Sequence, residues 1–178
     1  MKRYVAFLRA INVGGHTVKM GRLRSTFESM GFTAVETFIA SGNVIFSTKS
    51  KDEKALESKI AAKLKTELGY EVAAFIRTND EIAAIAKYKP FPPADIEASL
   101  AFNIAFIADA LDTKTERAVL ALETASDRFR IHGREIYWLC RKKQSDSKFS
   151  NAVLEKTIGA SSTIRGARTV YSIAEKLL

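Results

Sequence analysis

Cysteine and histidine are scarce in this sequence, which contains one cysteine, Cys140, and two histidines, His16 and His132. A single cysteine excludes an intrachain disulfide framework and a cysteine-based zinc site, and two histidines exclude a histidine-rich metal centre. We therefore predict no bound metal and no cofactor. A reducing compartment fits this composition, and Cys140, inside an apolar stretch, is interpreted as an inert core or edge residue.

Long hydrophobic runs are also missing. The apolar stretch Tyr4–Leu8 near the start is interrupted by Arg9 and is too short for the core of a signal peptide. No stretch approaches the roughly 20 apolar residues that a membrane-spanning helix needs. These absences favour a cytoplasmic protein with no membrane partner.

Proline occurs three times, and all three prolines lie within the segment Lys89–Pro93. Proline interrupts helices and cannot donate a hydrogen bond to a β-sheet, so this segment is predicted to be a linker. The predicted organisation is a first unit at residues 1–88, a proline-rich linker at 89–99 and a second unit at 100–178.

Apolar side chains and positive charge are abundant. Hydrophobic residues make up 47% of the chain, and the formal net charge is +8. The hydrophobic fraction is that of a globular protein with a packed core. The positive charge raises the prospect of a polyanionic partner, which includes nucleic acid, nucleotides and phosphorylated metabolites. The alternative is a solvated basic surface, because the basic residues are spread along the chain.

The apolar patterning predicts the same order of elements in both halves, namely β-α-β-β-α-β followed by a helix. In the first half, Ser50–Glu53 and Thr78–Glu81 have the spacing of helix capping boxes, and Thr113–Glu116 has it in the second. The predicted strands are Tyr4–Leu8, Val35–Ile39, Val44–Ser47 and Val72–Ile76, then Leu100–Ile107, Arg128–Ile131, Glu135–Cys140 and Thr163–Arg165.

This order predicts an α+β protein built from two tandem ferredoxin-like βαββαβ units, each with the strand order 4-1-3-2. A constant shift of 91 residues pairs Phe46 with Tyr137 and Arg77 with Arg168, which supports a duplication. The halves differ after their first strands, where the glycine-containing loop of the first half is replaced by Asp109–Asp112.

The first candidate site is the loop between the first strand and the first helix. Its glycines would let backbone amides point at one spot near a helix start, and Arg9 would grip a phosphate or carboxylate. In a βαββαβ unit the hairpin between the second and third strands lies at the same end of the sheet as this loop, so the turn at residues 41–43 should approach it. The alternative is a structural turn whose asparagines bond local backbone. The predicted ligand-binding residues are Arg9, Asn12, Gly14, Gly15, Ser41, Gly42 and Asn43.

The second candidate site lies in the other half, where basic side chains and two helix starts follow the third and fourth strands. Together they would cradle an anion, although a solvated basic rim is an equal alternative. The predicted ligand-binding residues here are Ser147, Lys148, Asn151, Arg165 and Arg168. No nucleophile is placed beside a base, so no catalytic residue is predicted.

The segments Arg9–Gly15 and Phe38–Phe46, with Gly133–Tyr137 and the polar residues of the second site, resemble the bacterial family called Domain of Unknown Function 1697. The resemblance implies two ferredoxin-like subdomains and no established activity. The family usually has glycine at the position of Ala10 and an Arg-Asn-Trp segment at residues 165–167. Loss of the Asn-Trp pair weakens the second site more than the first.

These features lead to three functional hypotheses. The first is a protein that binds a phosphate-bearing ligand, either a nucleotide or nucleic acid, through the glycine loop and basic residues. The second is an enzyme acting on a phosphorylated or carboxylated small molecule, with Ser147, Lys148 and the arginines orienting it. The third is a protein interaction module, in which the basic residues surround an exposed apolar patch.

Overall fold

A computed structural model describes residues 1–12, 14–39 and 42–178. The chain divides into two compact units, and the division falls between Ala84 and Ile85. Unit 1 comprises Met1–Ala84 with Leu177, and unit 2 comprises Ile85–Lys176 with Leu178. The bounds inferred from the sequence, 1–88 and 100–178 with a linker at 89–99, remain a prediction.

Unit 1 contains one four-stranded antiparallel sheet in the order β2-β3-β1-β4. The apolar strand β1 is central and pairs with both β3 and β4. The elements are β1 Lys2–Leu8, α1 Met20–Ser29, β2 Thr33–Thr37, β3 Asn43–Thr48, α2 Glu53–Leu68, β4 Ala74–Thr78 and α3 Asn79–Lys87, the last of which runs past Ala84.

Alternate residues of the unit 1 sheet pack against α1 and α2, as the period of a strand requires. Tyr4 and Phe46 stack with their ring centroids 5.7 Å apart, and Phe27 of α1 meets Phe46 edge-on at 5.6 Å. Gly69 ends α2 in the left-handed conformation at φ 80°, which a residue without Cβ adopts at no steric cost.

Unit 2 repeats this arrangement with a sheet in the order β6-β7-β5-β8. Its central strand β5 pairs antiparallel with β7 and β8. The elements are α4 Pro93–Glu97, β5 Ala101–Ile107, α5 Thr113–Leu120, β6 Asp127–His132, β7 Glu135–Cys140, α6 Asn151–Ile158, β8 Ser162–Gly166 and α7 Ala167–Leu177. A 3-10 turn at Gln144–Asp146 precedes α6.

The proline-rich segment that was expected as a linker packs on residues of the unit 2 sheet. Phe91 is buried, meets Phe102 of β5 edge-on at 6.0 Å, and lies beneath the guanidinium of Arg128. Arg128 Nη1 also donates to Asp95 Oδ2 at 2.7 Å. Pro93 starts α4 at a position where no amide donor is needed, so the prolines permit this short helix.

The α+β class and the strand order inferred from the sequence are confirmed. Of the three capping boxes, only the one at Thr78 forms: Glu81 N donates to Thr78 Oγ1 at 3.2 Å, and Thr78 N donates to Glu81 Oε2 at 2.8 Å. The other two were wrong, because Asp52 caps α2 and Asp112 caps α5. In each case an aspartate directly before the helix takes the N-cap position. The expected cap Ser50 lies too far before α2, and the expected cap Thr113 is already the first residue of α5.

The constant shift of 91 residues is wrong in register. In unit 1 Phe46 faces the helices, whereas in unit 2 Trp138, and not Tyr137, belongs to the core on the helix side. A slip of one residue would move every side chain to the opposite face. The hydrogen bonds Leu8 N to Gly42 O and Ile107 N to Arg134 O mark equivalent places in the two sheets.

Strand register also changes which residue of unit 2 is equivalent to Arg77. Leu8 lies opposite Ala74 and Ile107 lies opposite Ser162, so Arg77 corresponds to Arg165 rather than to Arg168. Both Arg77 and Arg165 are buried. The correspondence therefore joins two buried arginines on the last strands of the two sheets.

Among the residues that the structure describes, no helix combines the length and apolar character needed to cross a bilayer.

Candidate functional site

The loop after β1 and the β2-β3 hairpin are in close contact, as the sequence predicted. Leu8 N donates to Gly42 O at 2.9 Å. Gly42 has φ 81°, and a Cβ added there would lie only 3.0 Å from Ile11 Cβ. Ile11 is buried and anchors the loop from below. The predicted site residue Ser41 lies outside the described residues.

The two glycines of this loop are exposed and left-handed. Gly14 has φ 60° and Gly15 has φ 82°, and a Cβ at either position would meet nothing within 4 Å. Neither glycine is therefore needed to avoid a clash, and what they provide is the backbone conformation. Arg9 is half-buried beside the loop, and its backbone N donates to Ala73 O at 2.9 Å.

Two asparagines of the first candidate site have structural hydrogen bonds. Val18 N donates to Asn12 Oδ1 at 2.6 Å, which closes the loop before α1. Asn43 is fully buried, and its Nδ2 donates to Phe38 O at 2.9 Å across the hairpin. These contacts match the local role that was the alternative for both residues. The exposed part of the site is therefore the glycine turn with Arg9 beside it.

The start of α1 adjoins this loop and carries no negative charge in its first turn. Lys19 occupies the N-cap position, and its side chain makes no capping hydrogen bond. The unsatisfied amides at a helix start carry partial positive charge, which a capping carboxylate would normally offset. The loop and helix start together thus form an electropositive end of unit 1.

The residues of the second predicted site differ in their surroundings. Ser147 lies in unit 2 next to a buried carboxylate, and its hydroxyl is 2.9 Å from both carboxylate oxygens of Asp127. Trp138 Nε1 donates to Asp127 Oδ1 at 2.8 Å, and Thr124 Oγ1 donates to Oδ2 at 3.2 Å. Burial raises the pKa of Asp127, but hydrogen bonds from Trp138, Ser147, Cys140 and Thr124 outweigh it and hold the pKa below its usual value.

This network gives Ser147 a structural role. An ionised carboxylate with a lowered pKa is a weak base, so Asp127 is poorly suited to remove the hydroxyl proton. Ser147 Oγ also accepts from Phe149 N at 3.0 Å. Burial raises the pKa of the neighbouring Cys140 thiol, and Asp127 raises it further, which keeps the sulfur protonated.

Lys148 and Asn151 are near this network but do different things. Lys148 is exposed and lines a cavity of about 190 Å³ together with Asp127 and Phe149. Asn151 Nδ2 donates to Ser162 O at 3.0 Å, and its Oδ1 accepts from Ser162 Oγ at 2.6 Å. Asn151 therefore ties the start of α6 to β8.

Arg165 and Arg168 are only three residues apart, but their environments differ. Arg165 is buried on β8, where burial lowers its pKa to about 10. Its Nη1 donates to Thr163 Oγ1 at 2.7 Å and to Ile164 O at 3.0 Å. Arg168 is exposed in the first turn of α7 and lines a separate groove of about 590 Å³.

A lysine cluster that the sequence did not suggest lies at the other end of the unit 1 sheet. Lys2, Lys49 and Lys51 line a concave surface of about 410 Å³. In the described part of the chain, none of the three is paired with an acidic side chain. The lysines meet because Lys2 lies opposite Thr48 in the β1-β3 pairing. That pairing was the available signal, since the end of β3 was predicted close to Lys49.

Within residues 1–12, 14–39 and 42–178, no group of three acidic, histidine or cysteine side chains is arranged to hold a metal ion.

Comparison with solved structures finds the same fold elsewhere. The chain is similar to the conserved bacterial protein SP0830 from Streptococcus pneumoniae, with a TM-score of 0.78 and 24% sequence identity over 99% of this chain and 98% of that chain. At this identity the likeness concerns the fold alone. No curated protein matches the chain.

Comparison with protein families gives a match over most of the chain. The family described as Protein of unknown function (DUF1697) matches residues 1–137, which include the glycine loop, the β2-β3 hairpin and the sheet strands through the first half of β7. This match confirms the resemblance seen in the sequence motifs. The chain belongs to the DUF1697 family of proteins of unknown function.

Proposed function

We propose that this protein binds a phosphate-bearing ligand, either a nucleotide or nucleic acid, at the loop that precedes α1. The observation that carries the proposal is the start of α1, which has no side-chain cap from Lys19 and no acidic residue in its first turn. The loop before this helix start adds the exposed, left-handed glycines Gly14 and Gly15. Backbone amides at a helix start and in a glycine turn are common ligands of phosphate.

Arg9 provides the charged contact in this proposal. It is half-buried at the end of β1, so its backbone is held by the sheet while its guanidinium can pair with two phosphate oxygens at once. The packing of Gly42 on Ile11 holds the loop against the hairpin. A site on a supported loop loses less conformational entropy when it binds a ligand.

The lysine cluster provides a way to distinguish a nucleotide from nucleic acid as the ligand. It lies at the start of β1, and the glycine loop follows the end of that strand, about 20 Å away at the usual rise of a strand. A mononucleotide would contact one end of the sheet only. A stacked single strand would need about six nucleotides to contact both, at 3.4 Å for each nucleotide.

The test is a binding titration over a salt series with two probes, ATP and a fluorescent single-stranded oligonucleotide of mixed sequence. Arg9→Ala should weaken binding of both probes about tenfold or more, the effect of losing a charge-assisted hydrogen bond. Replacing Lys2, Lys49 and Lys51 together by glutamine should weaken only the oligonucleotide and flatten its salt dependence by about two units of slope.

Lys114→Ala is the matched control, because it removes one exposed lysine from unit 2. It should leave both affinities within about twofold, since an isolated surface charge contributes little. Absence of binding to both probes at low salt would overturn the proposal. Binding that Arg9→Ala leaves unchanged would remove the glycine loop as its site.

We also propose that the two units arose by duplication. The two units are ferredoxin-like subdomains produced by duplication, with domains at residues 1–88 and 100–178. Support comes from their shared strand order and from the equivalent backbone hydrogen bonds to Gly42 O and Arg134 O. Equal topology with equal register is the pattern expected of a repeated unit.

A further inference from the structure

Unit 2 contains a groove that the proposed phosphate site does not involve. It lies between α4, the start of β5 and one face of α7, and its volume is about 590 Å³. Sites for small ligands usually have volumes of about 300 to 1,000 Å³ and combine apolar walls with a few polar groups. The lining residues include Ile96, Leu100, Phe102, Arg168, Tyr171 and Glu175.

The floor of the groove is apolar and partly aromatic. Phe102 and Tyr171 meet edge-on, with ring centroids 6.5 Å apart and an interplanar angle of 76°. Leu100 is 67% exposed and lines the groove together with both rings. An apolar ligand side chain placed here would remove Leu100 from water.

The ends of the groove carry opposite charges. Arg168 is in the first turn of α7, and Glu175 is in the last. Both side chains are exposed, and neither is paired with a charged group in the described part of the chain. Both placements oppose the helix macrodipole, which favours acidic residues at the start of a helix and basic residues at its end. Stability of α7 therefore does not account for them.

A bound ligand with the opposite polarity would reverse this electrostatic cost. A carboxylate beside Arg168 would also face the positive start of α7, and an ammonium group beside Glu175 would face its negative end. Seven residues of helix separate the two side chains by about 10 Å. An extended peptide of three residues has about the same length.

We infer that this groove binds a short apolar peptide with free termini, whose carboxylate pairs with Arg168 and whose amino group pairs with Glu175. The apolar side chains of the peptide lie on Leu100, Phe102 and Tyr171. This inference does not depend on the phosphate site, because every lining residue belongs to unit 2.

The test is calorimetric titration of the full chain with the tripeptide Leu-Phe-Leu, with chemical shifts of α7 amides as a second readout. Arg168→Ala and Glu175→Ala should each weaken binding about tenfold or more. Acetylation of the peptide amino group should weaken binding to the parent protein and have little effect on Glu175→Ala. Amidation of the peptide carboxylate should likewise weaken binding to the parent protein and have little effect on binding to Arg168→Ala.

The charge-swapped protein Arg168→Glu/Glu175→Arg gives the sharpest comparison. It should melt at a higher temperature, because both charges now suit the helix dipole, and it should bind the free peptide at least tenfold more weakly. Arg117→Ala, which removes an exposed arginine of α5, should leave binding unchanged. No heat and no α7 shifts at millimolar peptide would overturn the inference, as would equal binding of free and doubly blocked peptides.

Discussion

The two units share their topology and strand register, but the loops after their first strands are of opposite character. In unit 1 this loop has exposed glycines and leads to a helix without an N-terminal carboxylate. In unit 2 Asp112 caps α5 by accepting from Thr115 N at 2.7 Å, and Glu116 adds a second negative charge in the first turn. The hydrogen bond from Thr115 lowers the pKa of Asp112 and keeps it ionised.

This difference teaches that the scaffold alone does not create the electropositive end. A capped helix start has its amides satisfied and its partial charge offset, so unit 2 has no comparable place for an anion at α5. The β2-β3 and β6-β7 hairpins also differ, in how closely their glycines pack against neighbouring residues. Gly42 packs on Ile11, whereas a Cβ at Gly133 would have Glu135 Oε2 as its nearest neighbour at 3.4 Å.

Unit 2 has its own distinguishing feature in the buried Asp127 network. Its carboxylate is 2% exposed and joins β6 to Trp138 on β7 and to Ser147 before α6. In unit 1 the buried acid is Glu57 on α2, whose Oε1 accepts from Ile76 N at 3.1 Å. Each unit thus uses a different buried carboxylate to join a helix or loop to its sheet.

The largest expected effect tests whether the Asp127 network stabilises unit 2 in particular. Asp127→Ala leaves the buried Trp138 N–H and Ser147 hydroxyl without their acceptor, so it should lower the free energy of unfolding by about 4 kcal/mol. Trp138 is the only tryptophan, so its fluorescence reports on unit 2 during urea unfolding. Asp146→Ala, at an exposed acid of the same unit, should cost less than about 0.5 kcal/mol.

The pH dependence of the same variant supplies a second measurement. The folded pKa of Asp127 lies below its ordinary value of 3.8, so its stabilising effect is complete above that value. It is lost as the pH falls below about 4 and through the folded pKa. The acid-induced loss of stability should therefore be smaller in Asp127→Ala than in the parent protein. Equal acid sensitivity of the two proteins would show that Asp127 is not ionised in the fold.

The next effect compares the two hairpins through Gly42→Ala and Gly133→Ala. Both substitutions force a side chain into the left-handed region, at φ 81° and 61°, which costs about 1 kcal/mol. Only Gly42→Ala also forces a methyl group to within 3.0 Å of Ile11 Cβ, so it should cost about 3 kcal/mol in total. Amide exchange of peptides from each unit, followed by mass spectrometry, would locate the loss. Equal costs would mean that the loop yields to the added methyl group.

Much of the scaffold was predictable because its signals are local in sequence. Apolar strands, helix stops such as Gly69 and the capping box at Thr78 each depend on a few adjacent residues. The approach of the hairpin to the glycine loop followed from topology once the strand order was known. The register between halves was missed because a shift of 91 matches residue types without testing which face of the strand they occupy.

The candidate sites were less predictable because they depend on side-chain contacts between distant residues. Ser147 was chosen for an anion, but its hydroxyl bonds Asp127, twenty residues away in sequence. Asn43 resembled a ligand residue, yet it is buried within its own hairpin. The opposition between Arg168 and the dipole of α7 depends on the residue at which that helix starts, which the sequence pattern did not define. Its first residue is Ala167.

The smallest expected effect concerns strain in the loop that distinguishes unit 1. Ala10 has φ 66°, a conformation that costs an alanine about 1 to 2 kcal/mol and a glycine little. Ala10→Gly should raise the free energy of unfolding by about 0.5 kcal/mol, because the relief of strain exceeds the added entropy of the unfolded chain. Urea unfolding followed by circular dichroism is the measurement.

The matched control for Ala10→Gly is Ala118→Gly, at an exposed position inside α5. Ala118 has ordinary helical geometry, so glycine there should lower stability by about 1 kcal/mol. Opposite signs for the two substitutions would show that the loop of unit 1 holds Ala10 against its conformational preference. The same sign for both would mean that the left-handed turn at Ala10 carries no strain. The contrast between the two β-α loops would then rest on charge alone.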